Sequence, residues 1–389
     1  MKSECVPLQG YLVLVMLSTI SLVSSDIYLA LFSVIAKDLH ASLYSVQFSI
    51  SFYILILGIS QLFVGYVLDN FELKRVMAAS AIIYIVGCVL CYTSSLTLQF
   101  YFGRLFQAVG ASVPIVVWQP LTLALYGEMK GRTVGSYLFV LLALSPGLAP
   151  FIGMLISKYS DWRVIFIFLA ANYVLCALLL CWLLKNTPMI KSSSKITLRD
   201  LAGLLRSTYF LSYSAMVVLN YSCYLSFIIA YPSIVGDERD AVGMSMDFSR
   251  IAMFFCGGAL LGQYFMRKNN NHRAVISGIT IFATSAVFLL VGDYMEKQSI
   301  QYFLIACYVL VFGSGLMLPA ATYEAINTCD HARHSAAGFL GSARMGMAFI
   351  VSTLITLVPV ANQGSALAIL VGFAVVVSIV VITKHVRWL

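Results

Sequence analysis

Charge is scarce in this chain: Lys and Arg number 24 and Asp and Glu 16 among 389 residues, or 10%, where an ordinary soluble domain carries about 25%. That shortage excludes a water-soluble globular fold. Polar stretches are short as well, the longest running from Lys185 to Arg206, too little for an ATPase domain. No G-x-x-x-x-G-K-[ST] phosphate loop occurs, so energy from bound nucleotide is excluded. Also missing is the ten-residue alternation of outer-membrane strands. Of nine cysteines, seven (Cys88, Cys91, Cys176, Cys181, Cys223, Cys256 and Cys307) fall in apolar runs, where thiols serve as small apolar groups, and no disulfide framework follows. Cys88 and Cys91 form a C-x-x-C, but without the βαβ context that a redox motif needs.

What the chain does have is hydrophobic length. Hydrophobic residues make up 61%, and about 20 of them in a row cross a bilayer as a helix. Twelve such runs are expected, near 11–36, 47–68, 76–96, 99–125, 133–157, 164–184, 206–232, 247–266, 274–294, 299–325, 335–359 and 362–384. The fold class is therefore an all-α polytopic membrane protein. The first run follows Lys2 closely but exceeds a signal core of 7–15 residues, and is expected to be a retained helix. The net charge of +8 does not point to nucleic acid, because the basic residues sit in the breaks between runs. With both termini in the cytoplasm, sixteen of them fall inside and six outside, the bias that the positive-inside rule describes.

Two basic residues and one acid break the apolar pattern. Asp26 lies within Leu12–Ile35, otherwise free of charge. A carboxylate there costs about 2.5–3.5 kcal/mol on insertion scales, which makes it a functional candidate by default, for protons or substrate. Arg104 is expected ~8 Å inside the outer end of the fourth run and Asp26 ~15 Å inside that of the first, at about 1.5 Å per residue. Arg104 is then either a fixed counter-charge for Asp26 or an interfacial anchor. Arg344 is expected ~14 Å from the cytoplasmic side, either facing a cavity or tying the helix to a buried acid or to carbonyls. Tyr28, Tyr53 and Gln61 are candidate cavity residues; aromatic faces there suit flat or cationic ligands.

The Lys185–Arg206 break divides the runs six and six, predicting bundles at 1–184 and 206–389 joined by a cytoplasmic linker at 185–205. A glycine followed by a basic loop recurs about 197 residues apart, at Gly65 and at Gly262. The loop after the second run keeps Gly65, Asp69, Lys74 and Arg75, which is similar to the G-x-x-x-D-x-x-G-[RK]-[RK] signature of the major facilitator superfamily, with Asn70 and Glu72 as departures. Gly103-Arg104-Leu-Phe-Gln107-Ala-Val-Gly110 resembles its R-x-x-Q-G-x-G element. Pro146, Gly147, Pro150 and Gly153 resemble the antiporter element of its exporters. Asp26-Ile-Tyr28-Leu29, Gly58-Ile-Ser-Gln61 and Asp161-Trp162-Arg163 extend the likeness, over residues 24–168, to its Bcr/CflA-type drug/proton antiporters.

This resemblance implies two pseudo-symmetric six-helix bundles that rock about a midplane site. It also implies a conformational latch at Gly65, Asp69, Lys74 and Arg75, although an ordinary charged loop is the plainer alternative. At Pro146–Gly153 a bend is expected, since proline removes a helical hydrogen bond. The implied activity is proton-coupled export of a small amphiphile, a drug or a siderophore, across the inner membrane by a monomer, with no cofactor beyond the proton gradient. Uptake of a nutrient or metal chelate by the same fold is the alternative. A membrane-embedded enzyme using Asp330, His331 and His334 is a third reading, weakened by H-x-x-H spacing that fits one helical face poorly.

Overall fold

In hydrocarbon a backbone amide finds no water, so each apolar run must close its own hydrogen bonds as helix. The structure, a computed structural model, describes residues 8–183, 206–235, 238–268, 270–294, 300–327 and 333–386, and every regular element among them is helical. The expected linker 185–205, Asp330 and His331 lie outside the described residues. In chain order the helices are α1 (Leu8–Asp26), α2 (Phe32–Asp38), α3 (Leu43–Asn70), α4 (Leu73–Tyr92), α5 (Thr97–Tyr159) and α6 (Val164–Leu183). They continue as α7 (Thr208–Val235), α8 (Ala241–Arg267), α9 (Asn271–Tyr294), α10 (Ile300–Asn327), α11 (Arg333–Leu357) and α12 (Val360–Val386). Among the described residues, eleven stretches are long and apolar enough to cross a membrane.

Two expectations about the runs change. The fourth and fifth, placed at 99–125 and 133–157, are two helices within α5 that follow one another directly across a kink at Gly127, whose backbone is non-helical (φ 73°, ψ 172°). Glycine alone holds that φ without strain, so one residue replaces the expected loop. The first run, expected unbroken over 11–36, stops at Asp26 and resumes through the 3-10 turn Leu29–Leu31 into α2. Tyr28 (φ −107°, ψ 10°) and Leu31 (φ −114°, ψ 11°) leave helical geometry. Hydropathy is blind to such a break, because the residues across it, Ile27 to Phe32, remain apolar and buried.

The helix packing repeats after six spans. In the first half α4 packs on the 97–126 limb of α5 and on α6; in the second α9 packs on α10 and α12. Gly87 and Gly103 let α4 and α5 touch backbone to backbone, as Gly278 and Gly313 do for α9 and α10. Capping repeats too: Ser42 accepts from the Ser45 amide ahead of α3, and Asp240 from the Gly243 amide ahead of α8, each satisfying an orphan helix N–H. The halves meet through α3 against α11 and through α5 against α8. A shift of six spans turns α3 into α8 and the 128–159 limb of α5 into α11, so each contact is the image of the other. This is the two-bundle architecture with internal pseudo-symmetry.

Candidate functional site

Asp26 is the last residue of α1 and is 6% exposed. Its carboxylate accepts from the Ser25 hydroxyl at 2.7 Å and, at a longer 3.4 Å, from the Ser145 hydroxyl of α5. None of the ion pairs among the described residues includes it. Eight residues beyond Ser145, Gly153 presses on the break that follows the acid: a β-carbon there would overlap the Ile27 carbonyl oxygen. The opposite side of the same limb docks on α8, where Gly147 lies against Ser249 and Ala252 and its carbonyl accepts from the Ser249 hydroxyl at 3.0 Å. At about 100° per residue, Ser145 and Gly153 share one face of α5 and Gly147 faces away. One helix thus touches the acid, the chain break beside it and the other bundle.

Arg104 does not meet Asp26 directly. Its Nη1 donates to the Gln107 carbonyl oxygen at 2.6 Å, and its guanidinium lies 4.2 Å from the Tyr53 ring centre and 4.9 Å from that of Tyr28. It is fully buried, which sets aside the interfacial anchor. A desolvated cation gains about 2 kcal/mol over an aromatic face, and two faces replace the expected ion pair. Tyr28 and Tyr53, expected to line a cavity, are fully buried in forming this cage; their hydroxyls bond Ser49 at 2.9 Å and the Ser21 carbonyl at 3.1 Å. Cys88 and Cys91 are free thiols beneath it, Cys88 accepting from the Gln107 amide at 3.1 Å.

The remaining expected residues are scattered. Gln61 sits on α3 against Gly341, its Nε2 without a partner. Arg344, half-buried on α11, has its guanidinium 4.7 Å from the Tyr221 ring centre and its Nε without a partner. In the expected latch, Lys74 is exposed and Arg75 pairs with Glu72 at 3.4 Å; Gly65 and Asp69 lie in α3, their side chains outside the described set. So does the side chain of Pro146, whereas Pro150 is buried; the α5 backbone passes through both prolines without leaving helical geometry. The side chain of His334 is likewise outside the described set.

A second buried acid escaped the sequence reasoning. Asp247 on α8 is 1% exposed; it accepts from the Tyr231 hydroxyl at 2.5 Å and pairs with Arg239 at 3.4 Å and Arg250 at 3.0 Å. The signal was available, an acid lying between Arg239 and Arg250 in the sequence, but it fell at the assumed first residue of the eighth span, where a charge is unremarkable.

Residues 14–353 match the Major Facilitator Superfamily. The chain is 25% identical over 362 residues to Multidrug resistance protein D of Escherichia coli (strain K12), covering 91% of this chain and 90% of that one. It is 30% identical over 207 residues to Multidrug resistance protein MdtL of Citrobacter koseri, about 53% of each. It is 24% identical over 350 residues to the uncharacterized MFS-type transporter YdgK of Bacillus subtilis, covering 87% and 86%. With helices among the described residues that fall into two sets of six once α5 is divided at Gly127, inter-bundle contacts that mirror each other and a sequence match over most of its length, the chain belongs to the major facilitator superfamily of membrane transporters.

Proposed function

We propose that the protein is a proton-coupled exporter of a small amphiphilic molecule in the cytoplasmic membrane, exchanging substrate for protons by alternating access. One observation carries this reading: the 128–159 limb of α5 connects Asp26, through Ser145 and Gly153, to the inter-bundle contact at Gly147 and α8. An ionised carboxylate only accepts hydrogen bonds, whereas a protonated one also donates. Proton arrival at Asp26 therefore demands rearrangement of the Ser25 and Ser145 hydroxyls, and with Ser145 the limb that holds the bundles together. A proton and a substrate that favour different states of this contact displace each other's equilibrium.

In this reading the bundles at 1–184 and 206–389 rock about their seam, joined by a cytoplasmic linker at 185–205, with both termini in the cytoplasm. The excess of basic residues in the inner breaks supports that orientation. Export rather than uptake is supported by the names of the relatives, two of them called multidrug resistance proteins. A single chain encloses the pathway, so a monomer suffices. The test is transport in vesicles containing the purified protein. Asp26→Asn should cut flux driven by a pH gradient more than tenfold while substrate exchange without a gradient persists. Undiminished gradient-driven flux in that variant removes Asp26 from the coupling.

A further inference from the structure

The seam between the bundles carries two opposite charges that do not pair with each other. On the amino-terminal side, the Asp26 carboxylate holds only hydroxyls. On the carboxy-terminal side, Arg344 has no carboxylate within ion-pair distance among the described residues; its guanidinium rests on the Tyr221 ring and its Nε is unsatisfied. The two ends are joined through α5 and α8: Ser145, which bonds Asp26, is two residues from Gly147, which packs on Ala252 of α8, and one turn further along α8 Phe255 meets Tyr224. The Tyr221 and Tyr224 rings are 5.9 Å apart, and Phe255 extends the aromatic surface at 5.2 Å from Tyr224. Gln61, beside Gly341 and so one helical turn from Arg344, adds an amide nitrogen with no partner. Among the other buried or half-buried arginines already described, Arg104 lies on two rings and bonds Gln107 through Nη1, its Nε and Nη2 making no hydrogen bond, and Arg239 and Arg250 pair with Asp247.

Removing a charge from water costs several kcal/mol unless a partner offsets it. Two such groups of opposite sign, separated by aromatic faces, are complementary to a ligand with the reverse arrangement. We propose that the substrate is a zwitterionic aromatic compound, its carboxylate held by Arg344 and Gln61, its rings on Tyr221 and Tyr224, and its ammonium group at Asp26. The planar guanidinium is suited to a carboxylate, which it can grip with two parallel hydrogen bonds. Division of labour follows. A proton on Asp26 removes the partner of the ammonium end and leaves Arg344 untouched, so the ammonium competes with the proton while the carboxylate selects the molecule. This deepens the proton-exchange reading and rests on it for the role of Asp26.

The test uses the full chain in detergent and three forms of one fluorescent scaffold, a quinoline carboxylate bearing a piperazine: the zwitterion, its methyl ester (a cation) and its N-acetyl derivative (an anion). The unaltered protein should bind the zwitterion at least tenfold more tightly than either derivative. Arg344→Gln should shrink the zwitterion-to-ester preference below threefold, and Asp26→Asn should do the same for zwitterion over N-acetyl form, whereas Arg344→Lys should retain part of the first preference. Equal binding of zwitterion and ester by the unaltered protein overturns the proposal. So does an Arg344→Gln variant that loses both ligands in proportion while keeping the unaltered melting temperature. If Arg344→Gln does not fold, the three-ligand comparison on the unaltered protein decides alone. Gradient-driven flux of the zwitterion is measured separately: selective binding without proton-driven flux refutes the coupling and leaves the substrate class standing, and coupled flux of the ester alone does the reverse.

Discussion

The two halves of the molecule place a tyrosine hydroxyl on the seventh residue of their second span, and they differ in what that residue is. In the first half Tyr28 bonds Ser49 of α3, which begins at Leu43; in the second Tyr231 bonds Asp247 of α8, which begins at Ala241. The second half thus holds its buried acid at a position where the first has a neutral hydroxyl, and the first half holds its own, Asp26, on the preceding helix. Their surroundings separate them. Asp247 is closed in by Arg239, Arg250 and Tyr231, so protonating it would strand two cations. Asp26 meets only serines, so it can gain or lose a proton without breaking an ion pair. An acid locked by cations ties helices together; an acid held by hydroxyls is suited to change state.

The sharpest way to break this comparison is at Gly153, because the discontinuity beside Asp26 has no counterpart beside Asp247, which lies well inside α8. Gly153→Val would push a branched side chain into the Ile27 carbonyl and force α5 away from the α1–α2 break. Gradient-driven flux should fall more than tenfold in protein that still folds. The same substitution at Gly257, where only the Phe312 ring edge is near, should cost less than threefold in the same vesicle assay. Equal losses at the two glycines would mean that the break is not special.

Next in size is Asp247→Asn. Breaking a buried ion pair costs about 3–5 kcal/mol, but the side chains of Arg239 and Arg250 are 39% and 58% exposed, so water screens the stranded cations. The expected loss is about 2 kcal/mol of stability, seen as a lower melting temperature, with the ratio of protons to substrate unchanged per folded molecule. Loss of coupling without loss of stability would erase the distinction between the acids.

This contrast also marks what the amino-acid pattern discloses. The apolar runs, the division at the 185–205 break and the conspicuous position of Asp26 are all visible, because membrane insertion is decided by composition over lengths of about 20 residues. The caging of Arg104 is not visible, since Tyr28 comes from the break after α1, Tyr53 from α3 and Gln107 from α5, and only packing brings the two rings to the guanidinium. The break after Asp26 is hidden for the same reason: Gly153, which packs on it, is more than a hundred residues away, and the residues that form it, Ile27 to Phe32, are as apolar as an unbroken span. Asp247 was missed because span boundaries are the least certain part of a hydropathy reading, and a shift of six residues moves an acid from the interface into the bundle.

The smallest effect separates the two serines on Asp26. Ser25 makes the shorter bond, 2.7 Å against 3.4 Å for Ser145, and on strength alone its loss should matter more. Its bond, however, stays within one helix turn of α1, whereas that of Ser145 crosses to the limb whose far side bears Gly147 and α8. Ser145→Ala should therefore loosen coupling about threefold, near the lower end of a hydrogen bond's net contribution, read as substrate flux that no longer depends on the pH gradient. Ser25→Ala should lower the rate less than twofold and leave the coupling ratio intact. If Ser25→Ala proves the more uncoupling of the two, the proton's effect is confined to α1, and α5 is a wall of the site with no part in moving the bundles.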